Sequence, residues 1–193
     1  SGLRQRPWRM DGIGTAHFPI TTSQPEVQEW FDQGNALLHS FWFEEAERSF
    51  RWCTKLDPGC AMAYWGLAAT GLNWFSDPEL TSPVAKRGLD FLKEAVKRKA
   101  QASPRERAYI EAWDKAFNGP AATRPMTLVK ELQKIVIAYP DDAEAKSLLA
   151  LYSIGMAPAY AVELVIRQVL EVQPDHPGAH HYRIHNWDDA LTE

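Results

Sequence analysis

Residues 27–60 read VQEWFDQGNALLHSFWFEEAERSFRWCTKLDPGC, and this stretch decides the fold. With Val27 as position 1, small residues stand at positions 8 and 20 (Gly34, Ala46) and large apolar ones at positions 4 and 24 (Trp30, Phe50). Cys53 follows at 27 and Pro58 at 32. Small residues let two helices cross closely, the large ones fill the space beside the crossing, and a proline ends the second helix. The stretch predicts a helical hairpin.

The pattern returns along the chain. LDPGCAMAYW from Leu56, AYPDDAEAKS from Ala138 and VQPDHPGAHH from Val172 can be laid over one another. Pro140 and Pro174 are 34 residues apart, and Pro58 and Pro140 are 82 apart, or two such periods with about fourteen residues added. A second unit from Ala61 places Tyr64, Leu67 and Ala68 at positions 4, 7 and 8. The chain resembles the tetratricopeptide repeat (TPR) family over residues 27 to about 190. The resemblance implies an all-α array of helical hairpins wound into a right-handed superhelix, with about four hairpins plus one further helix. Helices are expected at 26–40, 43–56, 60–73, 83–100, 104–117, 125–139, 142–155, 159–172 and 177–190. Residues 73–83 and 104–125 depart from the repeat, and an array ending in an unpaired helix calls for further repeats or a partner. Residues 1–25 lack helical periodicity and are expected to form an extended arm, leaving 26–193 as the repeat domain.

In this family positions 2, 5, 9, 12 and 13 of each first helix face a concave groove that binds ligands. The resemblance puts Gln28, Phe31, Asn35, Leu38 and His39 there from the first unit. Met62, Trp65, Ala69, Leu72 and Asn73 come from the second. A groove for a protein or peptide follows, with Phe31, Asn35, His39, Trp65 and Asn73 as its walls. Position 5 is aromatic in both units, so the cationic clamp for a peptide carboxylate is not expected.

Four of six histidines fall between residues 176 and 185. On the final helix His181, His185 and Asp188 stand at i, i+4 and i+7, within about 60° of arc. Two imidazoles a turn apart with a carboxylate suit a divalent transition metal such as zinc, copper or iron, and they leave coordination positions open for a small-molecule substrate. The alternative is a metal-free polar patch in a protein-interaction module. His180, at position 4, is expected to pack in the core, and His176 to cap the helix or meet solvent. The arm from Arg9 to Thr22 is expected to lie along the concave face and to bring His17 towards His181 and His185 as a further ligand. PGAxHYxIHxxD from Pro177, with HFPI from His17 and CAMAYWG from Cys60, also resembles a group of larger bacterial TPR proteins.

The balance of 21 basic against 25 acidic residues gives a net charge of −4, which counts against a nucleic-acid partner. No run approaches the roughly 18 apolar residues of a membrane span. A basic stretch at 86–107 reads as a solvated helix face, or as an anionic partner site. Cys53 and Cys60, spaced C-x6-C, fit neither a redox pair nor a zinc ribbon and read as buried thiols, with a local disulfide as the other possibility. No phosphate-binding glycine loop or nucleophile elbow is present, so no catalytic residue is assigned, and the compartment is undetermined.

Overall fold

The computed structural model describes residues 4–72 and 77–188. Among them the regular structure is all helical: α1 (Pro25–His39), α2 (Phe43–Leu56), α3 (Ala61–Gly71), α4 (Pro83–Arg98), α5 (Pro104–Phe117), α6 (Arg124–Ala138), α7 (Ala143–Ser153), α8 (Ala159–Val172) and α9 (Pro177–Asp188). Short 3-10 turns at Lys99–Gln101 and Ala121–Thr123 link α4 to α5 and α5 to α6. The starts are chemically marked. Prolines open α1, α4, α5 and α9, where a missing N–H is harmless. Ser82 and Ser103 accept the orphan N–H groups of Ala85 and Glu106, and Asp142 accepts those of Glu144 and Ala145.

Each helix packs on the next in chain order, which is the build of a helical-repeat solenoid. Gly34 and Gly66 both press on the Phe50 ring: a Cβ placed on either would lie under 3 Å from it. That close approach is what the small-and-large pattern of residues 27–60 encodes. Glu44 and Glu45 sit in the first turn of α2, where acidic groups favour the helix. Both cysteines are buried and free. Burial pushes the Cys60 thiol up to about 12. The basic stretch is largely paired, through Arg87 to Glu47, Lys97 and Arg98 to Glu94, and Arg105 to Asp142.

The array winds tightly enough that α1 meets α9, the first helix touching the last. The N-terminal arm lies across α1, α3 and α5. Phe18 is fully buried against Phe31, Trp65 and Tyr109, with ring centroids 5.7, 5.8 and 4.9 Å away. Helix side chains answer the arm's backbone. Asp32 accepts from Phe18 N at 3.1 Å, Gln28 donates to Phe18 O and accepts from Ile20 N, both at 2.9 Å, and Asn35 donates to Ala16 O at 3.3 Å. An extended segment has no ladder of its own, so every buried N–H and C=O needs such a partner.

Candidate metal centre

Two histidine clusters meet where α1 crosses α9. The inner one joins His39 at the end of α1, Glu144 in the first turn of α7 and His176 just before α9. All three are buried, and one ligand atom from each lies within 4.8 Å of the others. A His/His/Glu set of this kind can coordinate a divalent transition metal such as zinc, copper or iron. His39 Nε2 is 2.8 Å from Glu144 Oε1, and His176 Nε2 is 3.9 Å from Glu144 Oε2. Asn35 Nδ2 donates to Glu144 Oε2 at 2.7 Å, and Tyr182 Oη is 2.7 Å from His39 Nδ1. Burial alone would raise the Glu144 pKa. His39 beside it, with His176, outweighs that and holds the carboxyl well below its usual range.

Partner chemistry fixes where the protons sit. A carboxylate only accepts, so His39 Nε2 donates to Glu144. Ala179 N only donates, and it reaches His176 Nδ1 at 3.2 Å, so that nitrogen is bare and the neutral ring carries its proton on Nε2. Both Nε2 protons then face Glu144. A metal entering this cluster has to expel both.

The outer cluster has the opposite arrangement. His181 Nδ1 is 2.8 Å from the backbone oxygen of His39, and His181 Nε2 is 3.0 Å from His185 Nε2. Asp188 Oδ2 stands 3.6 Å from His185 Nδ1, so the carboxylate backs that ring instead of joining the two Nε2 atoms. Phe41 packs edge-on to His181 at 4.5 Å and nearly parallel to His185 at 6.2 Å. Phe41 holds a left-handed backbone, φ 60°, a conformation strained for a bulky side chain and often found at functional sites. The helix places these rings because its buried face is Gly178, Ala179, Tyr182 and Asn186, which leaves His181 half-buried at the edge and His185 outside.

The expected site residues therefore divide. His181 and His185 bring their Nε2 atoms together, while Asp188, expected as a third ligand, stands behind His185 beside Nδ1. His17 does not join them: its Nδ1 pairs with Asp32 at 2.8 Å, and its carbonyl accepts from Gln173 at 3.3 Å. The arm crosses α1, α3 and α5 with Phe18 as its anchor, and the preceding side chain, His17, points the other way along an extended segment. Phe31, Asn35 and Trp65 are buried beneath that arm, His39 belongs to the inner cluster, and Asn73 lies outside the described residues. His180 is exposed, donating from Nε2 to Pro174 O at 2.7 Å, because the packed face of α9 runs through Ala179 and Tyr182 instead. His176 caps α9 as expected, yet it is buried, closed over by the α1 and α7 contacts. Sequence reasoning missed Glu144 and Tyr182. Glu144 follows an N-cap aspartate and looks like an ordinary first-turn acid, and its pairing with His39 spans 105 residues.

Compared with family models, curated proteins and solved structures, the chain finds no match.

Proposed function

We propose that this protein is a tetratricopeptide-like repeat scaffold carrying a divalent transition-metal site on α9, with His181 and His185 as its ligands. One observation carries the reading: the two Nε2 atoms converge to 3.0 Å, with the His39 carbonyl 2.8 Å from His181 Nδ1 and the Asp188 carboxylate 3.6 Å from His185 Nδ1. A carbonyl oxygen only accepts, so His181 keeps its proton on Nδ1 and presents a lone pair from Nε2. Asp188, 3.6 Å from His185 Nδ1, lies beyond hydrogen-bond reach and faces that ring as a nearby negative charge. At this distance a proton on His185 Nε2 is donated to His181 Nε2, and a cation binding between the rings takes that proton's place. Nitrogen ligands about 2.0–2.1 Å from a tetrahedral zinc are separated by about 3.3 Å, a few tenths more than the present spacing. A carbonyl or carboxylate behind each ring is the usual outer support of a metal-binding histidine. A proton is the competing occupant, so binding releases protons and weakens in acid. A metal with positions left open polarises a bound water or carbonyl, which is the chemistry such a site offers a small-molecule substrate.

Elemental analysis after purification without a nickel column tests this, with zinc titration of the metal-free chain beside it. Saturable binding that His181→Ala with His185→Ala abolishes supports the reading, and no binding in any preparation removes it.

A second reading, a metal-free interaction module, draws on the arm. Side chains of α1 and α5 grip an extended segment by its backbone and seat one aromatic residue, the chemistry of a peptide groove. A labelled peptide of residues 15–22 that binds the chain in the absence of metal supports it.

A further inference from the structure

Between the arm, the end of α1 and the entry to α9 lies an open cleft of about 660 Å3, a size common among small-molecule sites. Its walls are fixed. Thr15 N donates to Asp175 O at 3.0 Å, and Gly14, with φ 78°, lies so close to that carbonyl and to Pro177 that a Cβ would clash. Trp42 N is tied back to Leu37 O at 2.9 Å. Neither His181 nor His185 lines the cleft, so it stands apart from the metal pair.

The lining is rich in acceptors. The Asp175 carboxylate is exposed and has no hydrogen-bond or ion-pair partner among the described residues. His180 Nε2 donates to Pro174 O at 2.7 Å, so the neutral ring keeps a bare Nδ1. Ser40 Oγ gives its proton to Ala36 O at 3.0 Å and retains its lone pairs. Among the described residues no lysine or arginine lines the cleft, and residues 1–3, 73–76 and 189–193 contain none, so nothing there neutralises an anion. One wall is the indole of Trp42, 56% exposed. Trp8, exposed to the same degree, has the Arg48 guanidinium 5.3 Å from its ring centroid, whereas no cation of the described residues covers Trp42.

We propose that this cleft binds a small organic cation bearing a guanidinium group, stacked on Trp42 and donating to Asp175, with His180 Nδ1 and Ser40 Oγ as further acceptors. A guanidinium is planar, carries five N–H donors and accepts nothing, which matches an aromatic face beside unpartnered acceptors. Its positive charge is attracted by the indole face, and its fork meets a carboxylate through two parallel hydrogen bonds. A neutral ligand would leave the Asp175 charge unanswered.

Butylguanidinium chloride is the probe, with butylurea as its neutral isostere, titrated into the isotope-labelled chain at constant ionic strength. The readout is the Trp42 indole N–H resonance, identified by its loss in Trp42→Leu. That resonance is expected to shift saturably with butylguanidinium and to stay in place with butylurea. Asp175→Asn removes the charge and is expected to weaken binding about tenfold or more. Its melting temperature is expected to stay unchanged, because the exposed carboxylate holds no other side chain of the described fold. No saturable shift with butylguanidinium overturns the site. Equal binding of butylurea overturns the choice of a cation, and binding undiminished by Asp175→Asn overturns the assignment to this cleft.

Discussion

The Nδ1 atom of His181 stands 2.8 Å from the backbone oxygen of His39, a residue 142 positions earlier in the chain. The same His39 sends its side chain inward to Glu144 and Tyr182. One residue thus ties the two clusters together, holding a half-buried imidazole with its main chain and a buried carboxylate with its ring. The α1–α9 crossing is what places both.

Asp188→Ala removes the acceptor behind His185 without touching either Nε2 atom. Loss of such an outer partner typically weakens a metal site about 10–100-fold. Zinc titration calorimetry is expected to give a drop in that range with an unchanged melting temperature, since Asp188 is exposed. An unchanged affinity would mean the carboxylate plays no part in holding the ring.

Phe18→Ala empties the space among Phe31, Trp65 and Tyr109. Removing a fully buried phenylalanine costs about 3–5 kcal/mol, much of the roughly 5–15 kcal/mol that stabilises a domain. Urea unfolding is expected to show that loss. A change below about 1 kcal/mol would place the arm outside the core.

These two predictions differ in how far the sequence could see. From α1 to α8 the helices lie within two residues of their expected ends because prolines and caps such as Ser103 mark them locally, the expected end of α9 at residue 190 lies outside the described residues, and the hairpin crossing was legible in Gly34 and Phe50. His181 and His185 share a face by simple spacing, so their approach was legible, whereas spacing alone does not say that Asp188 stands behind His185 beside Nδ1. Phe18 was not, since an arm without periodicity does not say which residue it buries. Nor was Glu144, whose role exists only because winding brings α7 against α1 and α9. His180 misled because the buried face of α9 runs through Ala179 and Tyr182 and leaves out the position that Trp30 fills in α1.

Gly34→Ala tests the crossing itself. A Cβ there would lie 2.8 Å from the Phe50 ring, which is fully buried and already in close contact with Gly66. Overpacking of this kind costs about 1–3 kcal/mol, against a gain of under about 1 kcal/mol in helix propensity. Thermal melts are expected to show net destabilisation. Stabilisation would mean that α1 and α2 can move apart without cost.

The stability of the fold should depend on His176. Burial, only partly opposed by Glu144, lowers its pKa below the ordinary value of about 6.5. Above that value the ring is neutral in both folded and unfolded chains, and its contribution is full. As the pH falls the unfolded chain takes up the proton first, so stability is lost until the pH passes through the folded value. His176→Asn keeps an acceptor for Ala179 N and removes the titration. Between pH 7 and pH 5 the native melting temperature is expected to fall more steeply than that of the variant, and parallel curves would show that His176 is not held neutral by burial.

The metal assignment is tested most directly by zinc-binding isotherms on three proteins: the native chain, His181→Ala with His185→Ala, and Glu144→Gln with His176→Asn. Saturable binding by the native and Glu144→Gln/His176→Asn chains, and none by the His181→Ala/His185→Ala chain, is the predicted result. Binding that survives in His181→Ala/His185→Ala and vanishes in Glu144→Gln/His176→Asn would move the metal to the buried cluster and contradict the account.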